Sequence, residues 1–147
     1  MTQPVEERSL GPLLTEICRL NHMRMHTLLH DLGLYCGQPW VLGALWRKEG
    51  LTHSELSTML HRTPATITNM IRRMEKSGFV TRRSDPEDQR VSRVYLTDAG
   101  RAIQDRVRET WQELEARQFA NFTLEERVLM RRLLIQVRDN LMSGVEA

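Results

Sequence analysis

Apolar positions recur at helical spacing through most of the chain. Leu10, Leu14, Ile17, Met25, Leu28 and Leu32 fall near one face at 100° per residue, which predicts a helix over 9–32 stopped by Gly33. Trp40, Val41, Ala44 and Leu45 form a second stripe over 37–48, where Pro39 is tolerated because it sits in the first turn. Thr52-His53-Ser54-Glu55 fits a capping box, with Leu51 and Leu56 as its hydrophobic staple, and opens a short helix ending near Leu60. Thr63 is a good N-cap and Pro64 a good first helical residue for the next one. That helix carries Ile67, Met70, Ile71 and Met74 at 3–4 spacing and stops at Gly78.

The period then changes. Phe79–Arg83 reads as a strand, Ser84–Gln89 as a turn rich in breakers, and Val91–Leu96 alternates apolar and polar, so a two-stranded hairpin with a charged tip is predicted. Thr97 caps a helix of about twenty residues containing Ile103, Val107, Trp111 and Leu114. Thr123-Leu124-Glu125-Glu126 is a second capping box, and a last helix runs to about Met142. The expected fold is mainly α with a small β-hairpin wing: a winged helix-turn-helix over 37–100, flanked by helical segments 1–32 and 110–147, in one domain spanning 1–147.

Composition narrows the class. The 147 residues suffice for one compact domain, and 40% hydrophobic with 27% charged residues is ordinary for a globular chain. No apolar run approaches the roughly 18 residues of a membrane span, and no basic start precedes an apolar block, so a cytoplasmic protein without a membrane partner is expected. Two cysteines, Cys18 and Cys36, are too few for a disulfide scaffold. The net charge of +2 hides an asymmetry: residues 61–93 carry eight Lys/Arg against four Asp/Glu, while the segments on either side are each slightly acidic. A local basic stretch in a nearly neutral chain is the footprint of a polyanion binder, or else a solvated surface, and local structure has to decide.

Two short capped helices, a tight turn and a basic hairpin decide for double-stranded DNA. A helix entering the major groove puts its N-terminal residues at the base edges, where small polar groups fit. Thr63, Pro64, Ala65, Thr66, Thr68 and Asn69 occupy that end. The hydroxyls suit phosphates or bases, and the Asn69 amide suits adenine. Arg72 and Arg73 follow within reach of phosphate or guanine, and the hairpin tip carries Arg90 toward the minor groove.

Glu55-Leu56-Ser57, Ala65-Thr66-Ile67-Thr68, Met74-Glu75-Lys76-Ser77-Gly78-Phe79-Val80, Asp85-Pro86-Glu87-Asp88-Gln89-Arg90 and Leu96-Thr97-Asp98-Ala99-Gly100 together resemble the MarR family of bacterial transcriptional regulators. The resemblance covers residues 9–142. The Asp-x-Arg of the wing followed by Leu-Thr-x-x-Gly is its specific part. It implies a homodimer held by the first and last helices, acting as a repressor on a pseudo-palindromic operator whose half-sites lie about 10 base pairs apart. It also implies that Asp88 orients basic side chains, that Arg90 enters the minor groove and that Arg82 is a basic position of the first wing strand. The competing reading of Asp88 is a plain turn-former. Arg62 departs from the family, standing where an apolar residue usually packs the turn. Tyr35 stands near the usual Thr or Ser cap of the second helix.

The resemblance further implies release by a small aromatic or phenolic acid bound in a crevice, for which His22, Met25, His26, Trp40 and Trp46 are candidate walls; plain core packing is the competing reading for each Trp. His22, His26 and His30 stand at i, i+4 and i+8. Two of them with a carboxylate suit zinc, yet the outer pair is roughly 12 Å apart along the axis and a solvated flank explains the row equally. Cys18 suits peroxide sensing if exposed, but it borders the apolar stripe, where a free cysteine is usually buried. No metal or other cofactor is expected.

An enzyme is disfavoured. The chain has no glycine-rich phosphate loop, no Gly-x-Ser-x-Gly and no His-Glu-x-x-His. A protein-binding winged module remains as an alternative of another class, against which Arg82, Arg83, Arg90 and Arg93 argue together.

Overall fold

The computed structural model describes residues 9–144. Its elements are α1 (Leu10–His30), α2 (Gln38–Arg47), β1 (Leu51–Thr52), α3 (His53–Leu60), α4 (Pro64–Lys76), β2 (Val80–Ser84), β3 (Ser92–Leu96), α5 (Asp98–Ala102), α6 (Gln104–Gln118) and α7 (Leu124–Ser143). No helix among the described residues is long and apolar enough to cross a membrane. The chain divides into two compact units, split between Trp111 and Gln112.

The first unit is a winged helix-turn-helix. Val41, Leu42 and Leu45 of α2, Leu56 of α3, and Ile67, Ile71 and Met74 of α4 are buried with Val80, Val94 and Leu96 of the sheet. The caps form as the spacing predicts. The Thr52 hydroxyl accepts the Glu55 N–H at 3.1 Å and the Glu55 carboxylate accepts the Thr52 N–H at 2.7 Å. The Thr63 hydroxyl accepts the Thr66 N–H at 3.2 Å at the start of α4. Gly37, not Tyr35, stands at the N-cap of α2 with φ +93°, and the Gln38 side-chain oxygen accepts the Tyr35 N–H at 3.0 Å.

Two expectations are corrected. The sheet has three strands, ordered β1-β3-β2, because Leu51 and Thr52 pair with Val94 and Arg93. Leu51 is therefore buried in the sheet as well as ahead of α3. The helix after Thr97 breaks at Ile103 into α5 and α6. Along α1 Met25 and Leu29 are buried, whereas Leu10 and Ile17 of the stripe are 80% and 50% exposed.

The second unit holds the end of α6 and α7. A capping box at Thr123 and Glu126 starts α7. Along α7 no side chain is buried, and Leu124, Val128, Leu129, Leu133, Leu134, Val137 and Leu141 are exposed. Of the two end segments expected to make a dimer, residues 1–8 and 145–147 lie outside the described residues.

Candidate nucleic-acid interface

Burying Ile67, Ile71 and Met74 fixes the rotation of α4 and hence what it presents to solvent. At 100° per residue, Ala65, Asn69 and Arg72 lie opposite that stripe, and Thr66 and Arg73 lie beside them. All five are exposed. Lys76 falls on the same line and is exposed, though the sequence reading left it out; counting two further turns from Asn69 finds it. Thr68 sits on the flank toward the wing, half-buried, where its hydroxyl meets His53 Nδ1 at 3.2 Å. The Thr63 hydroxyl lies 2.8 Å from that of Thr66, and Thr63 and Pro64 are exposed at the tip.

The wing is built by the β2–β3 register, in which Ser84 faces Ser92 and Arg83 faces Arg93. Like charges directly opposite repel, and two contacts relieve this pair. The Arg83 guanidinium stacks 4.9 Å over the Tyr95 ring. Arg93 is held by the carboxylate of Asp85, by the Gly50 carbonyl at 2.8 Å and more loosely by Glu55. Arg93 thereby ties the wing to the start of α3. Asp85 also accepts the Glu87 N–H at 2.8 Å, and the Arg93 guanidinium first, then this backbone donor, hold its carboxyl below the usual range.

The wing residues do not all stand as the resemblance implies. The Asp88 carboxylate accepts the backbone N–H of Arg90 at 3.0 Å and shapes the tip; the basic side chain is oriented by Asp85 instead. Arg82 pairs with Glu75 of α4 at 2.7 Å, so its charge is partly spent within the fold. The Arg90 side chain is exposed at the tip.

Behind α4 lies a cavity of about 460 Å³, lined by Cys18, His22 and Met25 of α1, Cys36, Trp40, Arg62, Thr66 and Met70, and Trp111 of α6. Trp40 is 58% exposed, with its ring 5.5 Å from that of Trp111. His22, Met25 and Trp40 thus meet at one cavity, while two other expected walls lie elsewhere. His26 is exposed and does not line it. Trp46 donates its indole N–H to the Gly100 carbonyl at 2.9 Å, locking α2 to α5. Trp111 and Arg62 were missed as walls, because only the fold brings them to α1. Cys18 is exposed at the cavity rather than buried. His22, His26 and His30 are all exposed, and among the described residues no three His, Cys, Asp or Glu gather to hold a metal. A larger groove of about 550 Å³ lies along α7, but it is the trough of that helix's uncovered apolar side, lined by Val128, Leu134 and Ile135.

Residues 38–92 match the family model described as the MarR family. The chain is 30% identical over 107 residues to YdgJ, an HTH-type transcriptional regulator of Bacillus subtilis, covering 73% of this chain and 65% of YdgJ. The chain thus spans slightly less than two thirds of that relative. It is 35% identical over 117 residues to IacR, an HTH-type transcriptional repressor of Pseudomonas putida, covering 80% of this chain and 70% of IacR. A crystal structure of mutant MarR from E. coli complexed with operator DNA superposes with a TM-score of 0.78 at 27% identity, over 90% of this chain and 95% of that one.

Proposed function

Since the chain belongs to the MarR family of helix-turn-helix transcriptional regulators, we propose that it is a homodimeric repressor that lays α4 in the major groove of a pseudo-palindromic operator. Arg90 of the wing lies along the adjacent minor groove, and a small aromatic acid releases the DNA. The observation that carries this is the outward face of α4: Ala65, Asn69, Arg72 and Lys76 are aligned, exposed and flanked by Thr66 and Arg73. Nothing in the packing of the core requires a cationic, small-residue stripe there. Groove recognition does. IacR's description as a repressor supports the sign of regulation.

The cavity supports the ligand class. Trp40 and Trp111 offer aromatic walls and Arg62 a counter-charge for a carboxylate. Thr66 of α4 reaches the same cavity, so an occupant touches the DNA-reading helix from behind. Such a ligand releases DNA only if it binds better to the conformation that does not fit the operator. The reading is tested by selecting bound duplexes from a random pool and titrating the selected duplex with benzoic and hydroxybenzoic acids while following Trp fluorescence. A palindrome and ligand-driven release are expected. No enriched sequence would reject the DNA reading, and quenching without release would reject the coupling.

A further inference from the structure

Among the described residues, one buried side-chain nitrogen has no hydrogen-bond partner: Nε2 of His53. His53 is the first residue of α3, and its other nitrogen, Nδ1, lies 3.2 Å from the hydroxyl of Thr68 on α4. Burial first, and then the positive charge of Arg82, hold its pKa below the ordinary histidine value, with Glu75 opposing. Two neutral tautomers remain. If Nδ1 accepted the Thr68 proton, Nε2 would carry a buried N–H with nothing to receive it. If Nδ1 carries the proton, Nε2 exposes only a lone pair. Orphaned N–H groups are the rarer and costlier defect, so the second arrangement wins. The Thr68 oxygen is then an acceptor toward His53, and its own proton is left to donate to another group.

We propose that His53 is a specificity-determining positioning residue: it holds the Thr68 side chain in one rotamer and presents its hydroxyl to the major groove as a donor, favouring a base with an acceptor there, N7 of a purine or O4 of thymine. This rests on the reading of α4 as the DNA-reading helix. His53 touches no DNA itself and acts through Thr68.

The test is selection of duplexes from a random pool by the full chain and its variants, each with a thermal melt. His53→Phe keeps the ring, removes the donor and removes the unpaired Nε2. It should melt no lower than wild type yet lose roughly three- to tenfold of the discrimination at one operator position. Thr68→Val should lose the same position, the double variant no more than either alone, and His53→Asn, whose amide N–H lies near the place of Nδ1, should recover it. Thr68→Ser should retain it. If His53→Phe fails to fold, His53→Leu and the Ser/Val pair at Thr68 carry the comparison. A wild-type preference unchanged in His53→Phe, or unchanged in Thr68→Val, overturns the proposal. A wild type that enriches no sequence overturns the reading of α4 beneath it, which is a different result.

Discussion

At Gly100 a Cβ would stand 2.1 Å from the carbonyl oxygen of Phe79, an oxygen that already accepts the Thr97 N–H at 3.1 Å. The obstacle is backbone, which cannot swing aside as a side chain can. Gly100→Ala should therefore cost about 2 kcal/mol and lower the melting temperature by several degrees. Gly43, in α2 with nothing within 4 Å of its Cβ position, makes the control: Gly43→Ala should stabilise by roughly 0.5–1 kcal/mol. Equal melts for the two variants would refute this account. Asp85 gives a pH-dependent counterpart. Its carboxyl titrates below the usual range in the folded chain because Arg93 and the Glu87 N–H favour the anion. Its contribution to stability is thus present above the ordinary carboxylate pKa of about 4 and lost as pH falls through the lower folded value. Asp85→Asn should be less stable than wild type at pH 7, with the gap in urea midpoint closing in strong acid. A gap constant with pH would reject the ion pair as its source. Residue roles of this kind were half legible. Capping pairs depend on spacing alone, so Thr52, Thr63 and Thr123 were readable. Asp85 and Asp88 sit in one turn three residues apart, and only the β2–β3 register decides which one meets Arg93.

Whole elements were legible where a period is long enough to show itself. α4 has thirteen residues and a strong stripe, so its buried and outward faces follow from the sequence. β1 has two residues, too few for any period, and joins the sheet because Gly50, at φ +76°, donates its N–H to the Val94 carbonyl at 2.9 Å. The break at Ile103 coincides with a tertiary bond: the Gly100 carbonyl accepts the indole N–H of Trp46, 54 residues away. No local pattern announces such a contact. The same logic sorts the wing arginines. Arg90 is exposed at the tip, whereas Arg82 and Arg93 are engaged by carboxylates. Arg90→Ala and Lys76→Ala should each reduce the slope of log affinity against log salt by roughly 0.9, if each meets one phosphate-lined groove, with melting unchanged. Arg93→Ala should lower the melting temperature as well, because it releases the wing from α3. An Arg90→Ala chain with the wild-type slope would remove the wing from the interface.

At the scale of the molecule the question is what covers the apolar sides of α1 and α7. In α7 Leu134, Val137 and Leu141 are 44%, 38% and 66% exposed, and in α1 Leu13, Ile17 and Leu20 are about half exposed. Scattered exposed leucines are unremarkable, but rows at helical spacing over two long helices are the kind of surface that associates. The charge budget points the same way: the excess of Lys/Arg lies within 61–93, and the flanking segments are nearly balanced, so they offer no field to repel a second copy. This part of the sequence reading was legible as amphipathicity but not as burial, since a stripe has the same pattern whether its own chain or another covers it. Leu134→Glu puts a charge at the middle of the α7 row without touching the helix-turn-helix core. In sedimentation velocity the wild type should run as a dimer and Leu134→Glu as a monomer, with the first unit still folded by circular dichroism. The monomer should bind random duplex about as a single module does, yet lose at least a hundredfold on a two-half-site operator, because the second α4 no longer binds at the effective concentration set by the first. If Leu134→Glu stays dimeric, α7 is not the contact. If it is monomeric and holds the operator as tightly as wild type, the two recognition helices act alone and the palindrome has no physical basis.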